Sequence, residues 1–144
     1  MLSLFVVDDT DNLDYFAYKF NISKIYQKRI LIIKDFFYKK GENQKINTQN
    51  LWKVLYKYGK ESLKDILNYK LFISKKIDKK IVDHLKFFDS KSVPIFPIKG
   101  EELMKKFDIP QGKKVGENLR LIEDYWINNN FKISDKEIEK IVKN

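Results

Sequence analysis

Apolar positions recur at helical spacing along nearly the whole chain. In residues 12–20, Leu13, Phe16, Ala17 and Phe20 fall on one side and predict a short first helix. Ser23 stands where an N-cap belongs, and Ile25, Ile30, Ile33, Phe36 and Phe37 then make a core-facing stripe that ends at Lys39-Lys40-Gly41. Residues 41–47 are polar and read as a loop. Thr48 is expected to cap the next helix, with Leu51, Trp52, Leu55 and Tyr56 on its inner face. Gly59 breaks or ends that helix. Leu63, Ile66, Leu67, Tyr69, Lys70 and Ile73 resume the helical spacing, and Asp78 caps a further segment carrying Ile81, Val82, Leu85 and Phe88.

The pattern changes at Val93-Pro94-Ile95-Phe96-Pro97-Ile98, where two prolines bracket apolar residues and exclude a helix or a central strand. An extended linker over residues 93–99 is expected there, between a helical unit at 1–92 and a second at 100–144. In the second unit Gly100 opens a short helix running to Phe107, and Ile109-Pro110-Gln111-Gly112 forms a turn. A long helix follows, with Val115, Leu119, Ile122, Trp126 and Ile127 inward. Ser134 with Glu137 makes a capping box for a last helix. Strand-type alternation is absent. The expected fold class is all-α, an array of about seven to eight short helices in two packed units.

Composition narrows the function classes. The 144 residues include no cysteine, which excludes a disulfide framework, a thiolate zinc site and a cysteine nucleophile. The longest apolar run, Ile30-Leu31-Ile32-Ile33, is far below the roughly 20 residues of a membrane span. The N-terminus has neither a basic region nor a small-residue cleavage site, so a cytoplasmic protein without a membrane partner is expected. The formal net charge is +9. Only Arg29 and Arg120 of the 29 basic residues are arginine, and the chain is rich in Ile and Asn, so a coding bias toward lysine is one source of that charge. Its distribution points elsewhere. Residues 1–11 carry −3, residues 12–80 carry +11 and residues 81–144 carry +1. A positive field concentrated on one half attracts polyanions.

Candidate chemistry is sparse. His84 is the single histidine and lies inside an amphipathic helix without partners at metal-ligand spacing. Asp8-Asp9-Thr10-Asp11 contains the Asp-x-Asp spacing of two-metal nucleotidyl transfer, but no glycine-serine turn or third carboxylate accompanies it. Acids ahead of a helix also favour the positive end of its dipole. The most specific pattern is the helix, turn and helix from Gly100 to Gly116. Gly112 can supply an unusual backbone angle, and Gly116 allows close approach of either a neighbouring helix or a sugar-phosphate chain. Lys113 and Lys114 add charge beside the free N–H groups that open the helix. Such a corner can hold phosphates without reading sequence. Most of the 21 aromatic residues lie on core stripes; Tyr56, Tyr58 and Tyr69, set among Lys53, Lys57, Lys60 and Lys70, are the better candidates for stacking on bases.

Three stretches carry a family resemblance. They are Phe96-Pro97-Ile98-Lys99-Gly100-Glu101-Glu102-Leu103-Met104, then Ile109-Pro110-Gln111-Gly112-Lys113-Lys114-Val115-Gly116-Glu117-Asn118-Leu119, then Trp126-Ile127-Asn128-Asn129-Asn130-Phe131. Together they resemble the C-terminal signature of bacterial tRNA nucleotidyltransferases (CCA-adding enzymes) and the related poly(A) polymerases. Leu51-Trp52-Lys53-Val54-Leu55-Tyr56-Lys57-Tyr58-Gly59-Lys60-Glu61 is similar to an upstream segment of the same family. Lys99 stands where the family has Ser or Thr, Glu102 where it has Asp, and Gln111 and Lys113 where prolines are usual, giving a less rigid and more basic turn.

The resemblance implies a body and tail that grip tRNA through its backbone. It places the catalytic head and the nucleotide-selecting neck in a separate or preceding N-terminal half, where Mg²⁺, CTP and ATP would be used. On that reading this chain has no catalytic residue, metal site or cofactor of its own. Its partners are tRNA or another RNA and the catalytic half. The residues expected at the RNA are Lys57, Lys60, Lys113, Lys114 and Arg120, with Gly100, Gly112 and Gly116 allowing backbone approach. The alternative is a helical protein-interaction scaffold, or a degenerate remnant of a split gene with no RNA role.

Overall fold

The computed structural model describes residues 12–39 and 45–143, and in these the chain forms seven α-helices and no strand. They are α1 Asn12–Lys19, α2 Lys24–Tyr38, α3 Thr48–Ile73, α4 Lys79–Asp89, α5 Gly100–Phe107, α6 Lys113–Asn128 and α7 Asp135–Lys143. The all-α class expected from the periodicity is what the chain adopts. The chain divides between Val93 and Pro94 into two compact units.

Local chemistry sets the ends of these helices. After α1, Asn21 takes φ 48°, its N–H donates to the Tyr18 carbonyl, and the Ile22 N–H donates to the Ala17 carbonyl at 2.9 Å. That is a Schellman stop with asparagine in the left-handed position. Asn47, rather than Thr48, caps α3: its side chain accepts the Asn50 N–H at 2.8 Å. Thr48 therefore becomes the first helical residue. Both are capping types, and pattern alone could not place the boundary to one residue. Gly59 interrupts α3 with φ 80° and ψ 176°, so the long element is two helices joined at a kink. The Asp78 side chain accepts the Lys80 N–H at 2.9 Å and caps α4. In the capping box of α7, the Ser134 N–H donates to Glu137 Oε2 at 2.7 Å.

The first unit closes around α3. Ile30, Ile33 and Phe36 of α2, Leu51, Val54, Leu55, Leu63, Ile66 and Leu67 of α3, and Ile81 and Phe88 of α4 form one buried cluster, joined by Leu13 of α1. Arg29 ties α2 to α3 through a two-pronged pair with Asp65, at 2.6 and 2.7 Å. That hydrogen bond, with the Asp65 and Glu61 charges, raises the arginine pKa against the opposing effect of partial burial. Three apolar positions of the helical pattern lie outside it: Phe20 is 58% exposed, Ile25 73% and Ile73 43%. They occupy the turn after α1, the first turn of α2 and the last turn of α3, beyond the turns that supply the buried cluster.

The second unit has its own core. Leu103 of α5, Ile109 of the turn, Val115 and Ile122 of α6 and Ile138 of α7 are buried together. Trp126 meets Phe96 at 5.4 Å and Phe131 at 4.8 Å between ring centroids, both edge-on. Of the linker residues, Phe96 is thus packed by its ring, whereas Ile95 is left exposed. Asp108 ends α5 in the left-handed conformation, and the Ile109 N–H donates to the Met104 carbonyl. This turns the chain sharply toward the start of α6.

Candidate nucleic-acid interface

The corner at the start of α6 is built by its glycines. Gly112 has φ 153° and ψ −163°, a conformation open essentially to glycine alone. Having no side chain, it leaves the opening N–H groups of α6 without a side-chain cap. Lys113 and Lys114 are exposed in that first turn. Gly116 lies on the exposed surface one turn in, and among the described residues a Cβ there or on Gly112 would meet nothing within 4 Å. Close helix packing therefore does not account for either glycine.

Lys113, Gly116 and Arg120 fall at i, i+3 and i+7 of α6 and so share one face. Arg120 is exposed. Lys113 lies 3.5 Å from Glu117, an exposed i,i+4 pair that holds the lysine only loosely. A bare helix mouth, two mobile ammonium groups and a guanidinium on the same helix can hold phosphate oxygens. Gly100 has a different setting: a Cβ there would touch Leu119 at 3.4 Å and Val115 at 3.6 Å. Its place is in the contact between α5 and α6, away from an open backbone surface.

The expected contacts in the first unit separate in the same way. Lys57 is exposed on α3 just before the Gly59 kink. Lys60 instead donates to the Asp89 carbonyl at 2.8 Å, at the C-terminal end of α4, where a cation suits the helix dipole. Lys64 pairs with the Asp89 carboxylate at 2.7 Å. That hydrogen bond, the Lys64 charge and the Lys60 charge hold the Asp89 pKa below its usual range. Lys57 and Lys60 belong to the first unit and Lys113, Lys114 and Arg120 to the second.

The stacking candidates are corrected in part. Tyr58 is exposed and Tyr56 half-buried, but Tyr69 is only 2% exposed. Its ring packs 5.1 Å from Phe37, and its hydroxyl shares a 2.7 Å hydrogen bond with Tyr38. Tyr69 points to the inner side of α3 and offers no face to a base. The exposed rings lie elsewhere. Tyr15, Tyr18, Phe20 and Tyr26 are all more than half exposed, on α1, the turn after it and the first turn of α2. One signal was available: with Leu13 and Ala17 buried, positions 15 and 18 of α1 must turn outward.

His84 is half-buried beside Phe88, with ring centroids 6.4 Å apart. Among the described residues no three His, Cys, Asp or Glu side chains come together as a metal site. Asp8, Asp9 and Asp11 lie outside the described residues. Compared with known proteins, the chain matches no family model, no curated protein and no solved structure.

Proposed function

We propose that this chain is an RNA-binding helical module, the C-terminal body and tail of a CCA-adding or poly(A) polymerase-type nucleotidyltransferase. It grips tRNA through the sugar-phosphate backbone. Nucleotide transfer belongs to a catalytic N-terminal half on the same or another polypeptide, which uses Mg²⁺, CTP and ATP. The observation that carries this reading is the open space at Gly116. A glycine inside an exposed helix costs about 1 kcal/mol relative to alanine. Among the described residues nothing packed against Gly116 repays that cost, whereas an approaching phosphate chain would. Further support comes from where the resemblance falls. Its densest stretch is continuous over α5, the glycine turn and α6, with Lys113 and Lys114 at the helix mouth.

Phosphate contacts release counterions, so affinity should fall linearly with salt on logarithmic axes. Titration of labelled tRNA at several salt concentrations, with the wild-type chain and with Lys113→Ala/Lys114→Ala, tests the reading. The double variant is expected to bind roughly tenfold more weakly at about 0.1 M salt, with a salt slope lower by about two. Equal affinity and slope for the two proteins would leave the corner without a role in RNA binding.

A further inference from the structure

The first unit carries a second surface, at the junction of α1 and α2, that the glycine corner does not use. Over residues 15–26, Tyr15 is 65% exposed, Tyr18 88%, Phe20 58% and Tyr26 58%. Single exposed apolar residues are ordinary, but a cluster of large rings signals a partner. Cations are placed among these rings. The Lys19 ammonium lies 5.7 Å from the Tyr15 ring centre and 5.9 Å from that of Phe20. The Arg29 guanidinium lies 5.7 Å from the Tyr26 ring and is fixed there by its pair with Asp65. An open groove of about 790 Å³, whose lining includes Tyr18, Lys19, Asn21, Ile22 and Gln27 and one carboxylate, Asp14, runs along the same junction.

We propose that this α1–α2 surface binds the unpaired nucleotides of a single-stranded RNA, with bases stacked on Tyr15, Tyr18 and Tyr26 and a phosphate held by Lys19. Each part answers to the chemistry of such a strand. A base needs an exposed ring of its own size, and every base can use one. Each stacked base brings a phosphate, and Lys19 stands beside two of the rings. Residues 12–39 hold six basic and two acidic side chains, so the surface lies in a positive field. The groove has volume enough for a nucleotide, and the Asn21 and Gln27 amides at its border can meet base edges. A protein partner fits less well, because lysine is depleted from protein interfaces and Lys19 lies directly beside the Tyr15 and Phe20 rings. A duplex fits less well too, because its base faces are already stacked. That the strand is RNA rests on the reading of the glycine corner, while the preference for unpaired bases does not.

The test uses the intact chain and fluorescence anisotropy with two probes, a short labelled oligo(U) and a labelled RNA hairpin whose loop is replaced by a non-nucleotide linker, so that every base is paired. Tyr18→Ala/Tyr26→Ala removes two exposed rings, and Tyr18→Phe/Tyr26→Phe keeps them; circular dichroism checks that both fold. The alanine pair should lose about tenfold or more in oligo(U) affinity, the phenylalanine pair should stay within about twofold of wild type, and hairpin affinity should hold. Unchanged oligo(U) binding by the alanine pair would overturn the proposal. So would an equal loss on both probes, or hairpin binding without oligo(U) binding. Self-association of the wild-type chain that the alanine pair abolishes would reassign the surface to a protein contact. Oligo(U) binding without hairpin or tRNA binding would instead defeat the phosphate clamp at α6 and leave this surface standing.

Discussion

A single methyl group separates the two explanations of Gly116. Alanine there meets no neighbour among the described residues and should raise helix stability by about 1 kcal/mol. The same methyl would stand where a sugar-phosphate chain is to approach. Gly116→Ala is therefore expected to melt at a higher temperature and to bind tRNA more weakly. A variant that is more stable with undiminished affinity would show that no backbone comes close at this position. Gly112→Ala should behave in the opposite sense, losing about 1–3 kcal/mol of stability, because its φ of 153° is closed to alanine. The special role of Gly112 could be read from a Pro-Gln-Gly turn ahead of a helix. That of Phe131 could not. It takes φ 62° directly after Asn130 at φ 54°, held by its N–H to the Trp126 carbonyl and its ring against the Trp126 edge. Left-handed backbone at a phenylalanine follows from tertiary contact, and no local residue preference announces it.

Helices were the most legible level, because apolar spacing fixes which face turns inward. It does not fix how far along the helix the neighbour reaches, which is why Ile25 and Ile73 proved exposed. The cap of α7 was legible in the sequence as the Ser134–Glu137 box, while its partner on α6 was not. Glu137 accepts from the Ser134 N–H and hydroxyl and, at 2.6 Å, from the Tyr125 hydroxyl of α6. The Tyr125 bond, followed by those from Ser134, lowers the Glu137 pKa from its ordinary value. A carboxylate with a depressed pKa stabilises the fold above the unfolded value, about 4.3, and that stabilisation disappears as pH falls through the lower native value. Thermal melts of wild type and Glu137→Gln should accordingly differ most above about pH 4.3 and converge in more acid solution. A constant gap at every pH would mean that the charge of Glu137 plays no part in the cap. Ser134→Ala removes the side-chain half of the same device and should cost about 1 kcal/mol.

At the scale of the molecule, the sequence concentrated its positive charge in residues 12–80, and several of those cations hold helices together: Arg29 with Asp65, Lys60 at the end of α4, and Lys64 with Asp89. The glycine corner falls in the half that is nearly balanced in charge, so net charge and candidate site were only loosely related. Packing divides more cleanly. The buried cluster around α3 uses residues before Val93, and that around Ile122 uses residues after it. A unit of about fifty residues has roughly 3–8 kcal/mol of stability to lose. Truncating a fully buried isoleucine removes about 2–5 kcal/mol. Ile122→Ala, at a site with no exposure, should therefore bring the second unit close to unfolding. Hydrogen exchange should then show α5, α6 and α7 losing protection while α2, α3 and α4 retain theirs. Leu55→Ala, equally buried in the other cluster, should produce the reverse pattern. The same loss of protection in all six helices from either substitution would mean that the two cores unfold as one, because a shared transition spreads the cost of a cavity over every amide it opens.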